Sequence, residues 1–185
     1  LAKLPHAPND VERWVTEPGF PPEAPEPKSE AFAQVDAQVA RWMKGDGQPG
    51  PAGSAAGYDM GSAKRLIHPE GWSTQEWLHF LRALPSLGQE PMTALDRAFH
   101  LTDSGNAEIA HVWLLMSIRN GYEPAQDRLQ RYLIQIGRRK LIVPLYQELA
   151  KTPEGLAKAK AIYVKARPGY HPITQSSVDA LLAKR

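Results

Sequence analysis

The chain has 185 residues, 42% hydrophobic and 23% charged, with 17 prolines, 14 glycines, no cysteine and a formal net charge of +2 at pH 7. That length and apolar fraction suit one domain with a real core. The absence of cysteine excludes disulfide scaffolds, thiolate zinc sites and a thiol nucleophile, and no uninterrupted apolar run approaches the ~18–20 residues of a membrane-spanning helix. The charge is uneven. Residues 1–50 hold five basic against eight acidic side chains, whereas residues 128–167 hold ten basic ones against Glu148 and Glu154. An anionic partner and a set of solvated helix faces both produce such asymmetry. The chain starts at Leu1 without the basic and apolar regions of a leader, and is expected to be a piece of a longer polypeptide.

Residues 1–28 contain seven prolines and many acids. Proline removes amide donors and extends the residue before it, so an extended linker is predicted, pinned by Trp14 and Phe20. From Ser29, a capping residue, a helix is predicted to about Lys44 with the apolar stripe Phe32, Val35, Val39 and Trp42. Residues 45–63 are rich in Gly, Pro, Ala and Ser and are expected to form a loop. Ser73-Thr74-Gln75-Glu76 has the form of a capping box that opens a helix burying Trp77, Phe80, Leu81 and Leu84. Pro91 suits the first turn of a third helix carrying Met92, Leu95 and Phe99.

A fourth helix is predicted from Asn106 to Asn120, stopped by Gly121, with Ile109, Val112, Trp113, Leu115 and Met116 along it. The fifth runs from Glu123 to Ile136 and is stopped by Gly137; both glycines suit the left-handed turn that ends helices. Further helices are expected at about 143–150, with Pro144 in the first turn, from the Thr152-Pro153-Glu154 cap to Arg167, and at 174–184. No segment alternates at period two, so no strand is predicted. Short antiparallel helices, each too small to bury its own face, stack as an all-α solenoid spanning residues 29–185.

Catalytic motifs are missing: there is no H-E-x-x-H, phosphate loop or G-x-S-x-G elbow. The six histidines are scattered and no pair has metal-ligand spacing. His68 and His171 precede prolines and suit loops; His111 reads as a packed, hydrogen-bonded side chain rather than a ligand. Asp96 and His100 lie one helical turn apart, a common surface pairing. Trp42, Trp77 and Trp113 read as core. No catalytic or metal-ligating residue is therefore assigned to this chain.

One site-like feature remains, Gly137-Arg138-Arg139-Lys140, predicted at the corner between two helices at an edge of the solenoid. Two cations one residue apart, Arg138 and Lys140, can converge on a single terminal carboxylate if the local backbone is extended or tightly turned. The same cluster can equally solvate the dipole at the end of the preceding helix.

Several stretches resemble the C-terminal domain of the leukotriene A(4) hydrolase family of zinc aminopeptidases. They are Trp14-Val15-Thr16-Glu17-Pro18-Gly19-Phe20-Pro21-Pro22, Asn106-Ala107-Glu108-Ile109 leading into Trp113, Gly137-Arg138-Arg139-Lys140 with Pro144-Leu145-Tyr146, and Tyr170-His171-Pro172-Ile173-Thr174. Against that family, loop 45–63 looks like an expansion. The resemblance implies a right-handed α-α superhelix, similar to armadillo and HEAT repeats, packed against the N-terminal and catalytic domains of the same polypeptide. It places the zinc, the family's cofactor, in the absent catalytic domain and none in this chain. It implies that Arg138 and Lys140 bind the carboxylate of a short peptide substrate, leaving Arg139 at a place the family often fills with an apolar residue. The chain alone is then inert, and the parent a zinc metallo-aminopeptidase with peptide rather than epoxide hydrolysis as its expected activity. A cytoplasmic location is expected, with neither nucleic acid nor membrane as partner. The alternative is a self-standing α-solenoid scaffold that binds an acidic protein or peptide. A nucleic-acid binder using residues 128–167 is the weakest reading, because interleaved aromatics are missing and the overall charge is nearly balanced.

Overall fold

The computed structural model describes Thr16, residues 29–44 and residues 60–183. Apart from Thr16, the expected linker 1–28 with Trp14 and Phe20 lies outside these residues, as do residues 45–59 of the expected loop. The chain divides into two units, Leu1–Glu30 and Ala31–Arg185, and the helical architecture belongs to the second. Among the described residues the helices are α1 Glu30–Lys44, α2 Met60–Leu66, α3 Thr74–Ala83, α4 Gln89–Phe99, α5 Ala107–Arg119, α6 Gln126–Gln135, α7 Arg139–Leu149, α8 Pro153–Ala166 and α9 Pro172–Ala183. Short 3-10 turns occupy Glu123–Ala125 and Arg167–Gly169, and no strand is present among the described residues.

The helices are set by local chemistry that the sequence displays. Ser73 accepts from the Glu76 amide at 3.3 Å while Glu76 accepts from the Ser73 amide at 2.8 Å, closing the predicted capping box. The Asn106 side chain accepts from the Glu108 and Ile109 amides, and its own amide group donates to Thr74 Oγ1 at 2.9 Å, which ties the start of α5 to the start of α3. Thr152 caps α8 by accepting from the Gly155 amide at 3.0 Å. Gly121 ends α5 in the left-handed region at φ 62°.

Packing follows a rule of next-but-one neighbours: α2 lies on α4, α3 on α5, α5 on α7, α6 on α8 and α7 on α9, with α7 also touching α8. The odd-numbered helices from α3 to α9 thereby form one layer, and even-numbered helices pair beside it. This is the all-α solenoid predicted from helix length and short connections. Its core includes Trp42, Phe80, Trp113, Tyr132 and Tyr146, all fully buried. Trp77 is only partly buried and packs edge-on against Trp72, Phe80 and Phe99. Asp96 does not pair with His100. It accepts from the Thr102 amide and hydroxyl at 2.8 and 2.7 Å and from the Tyr122 hydroxyl at 3.1 Å, while the Trp113 ring N–H donates to Thr102 Oγ1. This network fastens the end of α4 to α5 from within.

Three expectations are corrected. Residues 60–63, read as loop from composition, open α2. Helix α7 begins at Arg139, four residues before its predicted start, and Pro144 lies inside it. Proline there removes the one amide that would bond the Lys140 carbonyl, a loss offset by the burial of Leu141, Ile142, Leu145 and Tyr146 on the core side. Gly137 does not adopt the left-handed turn, since Gly71 and Gly121 are the described glycines with positive φ. A stretch of extended backbone at Ile136 and Arg138 turns the chain instead.

The junction of α7 and α8 is tight. A Cβ on Gly155 would stand 2.1 Å from the Leu149 carbonyl oxygen, whereas one on Gly105 would meet nothing within 4 Å. We expect Gly155→Ala to destabilise the domain by about 1–3 kcal/mol, as overpacking against backbone does, and Gly105→Ala to change it by less than ~0.5 kcal/mol. Thermal and urea unfolding of the two variants measure the contrast.

Candidate functional site

The chain brings its basic cluster to the start of α7. Arg138 is the N-cap, and Arg139 and Lys140 are the first two helical residues. These positions lie at the positive end of the α7 dipole, where cations are unfavourable, and directly after the C-terminal end of α6, where they are favourable. What holds the cations is a neighbour. Arg138 Nη1 and Lys140 Nζ lie 3.0 and 2.8 Å from the same atom, Oε1 of Glu108, in the first turn of α5. The side chains of Arg138 and Lys140 are 62% and 57% exposed and that of Glu108 is 29% exposed, so the three form an open triad rather than a buried one. Within the chain, the carboxylate that Arg138 and Lys140 share is that of Glu108. Arg139 points elsewhere, its Nε donating to Ser177 Oγ on α9 at 2.9 Å.

The corner is braced from behind by hydroxyls. Tyr170 donates to the Leu133 carbonyl in the last turn of α6, and its oxygen lies 3.2 Å from that of Tyr146. Thr174 Oγ1 donates to the Gly137 carbonyl at 3.4 Å. Tyr132 donates to the Ala107 carbonyl at 2.7 Å, joining α6 to the residue before Glu108. The stretches 106–109, 137–140, 144–146 and 170–174, far apart in sequence, therefore assemble around one corner. Burial pushes the phenols of Tyr132, Tyr146 and Tyr170 upward, so each stays a neutral donor at any physiological pH.

Electrostatics separate the two ends of the α5–α7 seam. At the corner the Lys140 hydrogen bond, with the charges of Lys140 and Arg138, holds the Glu108 carboxyl below its usual range against the opposing effect of burial. At the far end Glu148 accepts from Arg119 at 3.0 Å and Lys151 at 2.6 Å. The cavity of about 340 Å³ there is lined by Arg119, Lys151 and Lys158 together with Glu123, Glu148 and Glu154, which leaves it no net sign. At the corner a shallow depression of about 400 Å³ is lined by Arg139, Lys140, Val143 and Pro144, with cations and apolar groups only. The two ends therefore differ in the sign of their lining, balanced at the far end and cationic at the corner depression.

Sequence reasoning located Arg138 and Lys140 but not their partner. Glu108 follows a helix-capping Asn, which marks it as a first-turn acid and nothing more. Nor did it foresee that the buried Nδ1 of His111, on the same helix, would have no hydrogen-bond partner. Among the described residues no group of three or more His, Cys, Asp or Glu could hold a metal ion, and no helix is long and apolar enough to cross a membrane.

Comparison with known proteins gives one consistent result. The family described as leukotriene A4 hydrolase, C-terminal, matches residues 72–182, more than half of the chain. A leucine aminopeptidase 2 of Pyricularia oryzae is 27% identical over 88% of this chain and 24% of its own length. A leukotriene A-4 hydrolase of Xenopus laevis is 25% identical over 92% of this chain and 26% of its own. The native yeast LTA4 hydrolase structure superposes with a TM-score of 0.73 at 20% identity, covering 94% of this chain and 29% of that one. The chain thus spans about a quarter of the length of the curated relatives it matches.

His111 yields a pH test. Burial lowers its pKa, opposed by the Leu141 backbone and the Glu108 charge and reinforced by Arg82 and Lys140. A histidine that binds its proton more weakly when folded destabilises the fold as pH falls below the unfolded value of about 6.5. We expect the melting temperature to fall between pH 7 and 5, and His111→Gln to flatten part of that slope. An unchanged slope in differential scanning fluorimetry contradicts the assignment.

Proposed function

Because the chain belongs to the leukotriene A4 hydrolase C-terminal family, we propose that it serves a metallo-aminopeptidase as the helical domain that closes the active-site cleft and anchors the substrate. Arg138 and Lys140 are the anchor, holding the terminal carboxylate of a short peptide. The observation that carries this reading is that both cations already focus on one carboxylate oxygen at 3.0 and 2.8 Å. A pair fixed in that geometry needs little reorganisation to receive a second carboxylate from solvent, and an Arg supplies further N–H donors beyond the one it uses here.

The mechanism assigned to this chain is positional. An anion anchor on a rigid solenoid holds the far end of the peptide and so sets the distance from carboxylate to the bond that is cut, favouring short peptides. The zinc that cuts belongs, on this reading, to a catalytic domain beyond the chain, and no step here passes through it. Exposed ion pairs such as Arg138–Glu108 contribute little to stability, so the anchor can be removed without unfolding the domain.

The test uses the polypeptide that joins this domain to its peptidase domain. Arg138→Ala is expected to lower kcat/KM for a tripeptide by about a hundredfold, the value of a charge-assisted hydrogen bond made in the transition state. Hydrolysis of an aminoacyl p-nitroanilide, which lacks the carboxylate, should change by less than about threefold. Wild-type turnover of tripeptides by the variant would refute the anchor and leave the scaffold reading in possession.

A further inference from the structure

Glu108 sits where a substrate carboxylate would be expected to go. Its amide is capped by Asn106 at 2.9 Å, and its carboxylate lies at the favourable, positive end of α5. Two cations share its Oε1. Three forces thus hold it, and an incoming anion joins the triad rather than replacing Glu108. The donors permit this. A guanidinium has five N–H groups and an ammonium three, and Glu108 takes one from each.

We propose that Glu108 is a specificity-determining residue that tunes the anchor to singly charged ligands. Arg138 and Lys140 together carry +2, and Glu108 reduces the triad to +1, the complement of one carboxylate, while the neighbouring Arg139 is turned to Ser177 Oγ on α9. A bare pair of cations would hold a dianion, such as a phosphate monoester, at least as well as a peptide terminus. With Glu108 in place the second negative charge of a dianion is unmatched and repelled at close range. The same carboxylate draws both cation tips to a single focus, so the ligand meets them already aligned. The inference rests on the anchor reading above and names how that anchor chooses.

The experiment is a binding titration of the 185-residue chain at pH 8, where imidazoles are neutral and methyl phosphate is a dianion. Backbone amide shifts at Arg138–Lys140 report Kd for two probes, N-acetyl-triglycine and methyl phosphate. The variant is Glu108→Gln, which keeps an acceptor oxygen for the cations and loses only the charge. Removing one charge acts twice on a dianion for each time it acts on a monoanion. Glu108→Gln is therefore expected to tighten N-acetyl-triglycine by about fivefold and methyl phosphate by about twenty-five-fold, tilting selectivity toward the phosphate. Equal factors for both probes, or weaker binding of both, would show Glu108 to be a brace alone and overturn this inference while the anchor stands. If neither probe shifts the corner in either protein, the anchor reading fails and this inference with it.

Discussion

The hydrogen bond from the Tyr170 hydroxyl to the Leu133 carbonyl decides where the chain can go after α6. The last carbonyls of a helix have no partner within it, and this one is answered by a side chain arriving from the connection between α8 and α9. Tyr170 is buried, stands beside Tyr146 and Tyr163, and cannot move without opening the core. With the exit of α6 fixed, and with Thr174 on the Gly137 carbonyl, the backbone that follows has little freedom. Arg138 and Lys140 leave it on a stiff mount, with both tips held on Glu108. The function proposed for them asks only that.

The α5–α7 seam explains why the cations are where they are. The N-terminal ends of the two helices meet through Glu108 with Arg138 and Lys140, and their C-terminal ends through Arg119 with Glu148. They therefore run side by side in the same direction. Helix α5 is charged as its dipole prefers, acid first and base last. Helix α7 is charged the opposite way at both ends. If α7 followed the same preference, like charges would meet at each end of the seam. The inversion turns two repulsions into two ion pairs, and sliding α7 by one turn would lose both. Basic residues at a helix start, unfavourable within α7 taken alone, are favoured by this neighbour.

Much of the fold was legible in the sequence, for reasons that are local. Ser73 with Glu76, Asn106 with Gly121, and Thr152 with Pro153 announce their helices because a cap is a contact between residues two to four apart. The start of α7 was not legible, because Pro144 marks a first turn by local rules while the burial of Leu141 and Ile142 extends the helix backward past it. The candidate site divides in the same way. Arg138 and Lys140 stood out as adjacent charges. Glu108 lies thirty residues earlier, and its role exists only once α5 and α7 lie side by side. Gly137 misled for a related reason: a glycine after a helix suggests a left-handed stop, yet here the turn is made by the extended residues on either side of it.

Next-but-one stacking has a further consequence. Successive bends alternate between two opposite rims of the solenoid, so the bends before α5 and before α7 share one rim, while those after α5 and after α7 share the other. The basic corner proposed as an anchor lies on the first. The second, where Gly121, Lys151 and Thr152 turn the chain, lies at the other end of the seam, and lengthened bends could accumulate there over evolutionary time without disturbing that corner.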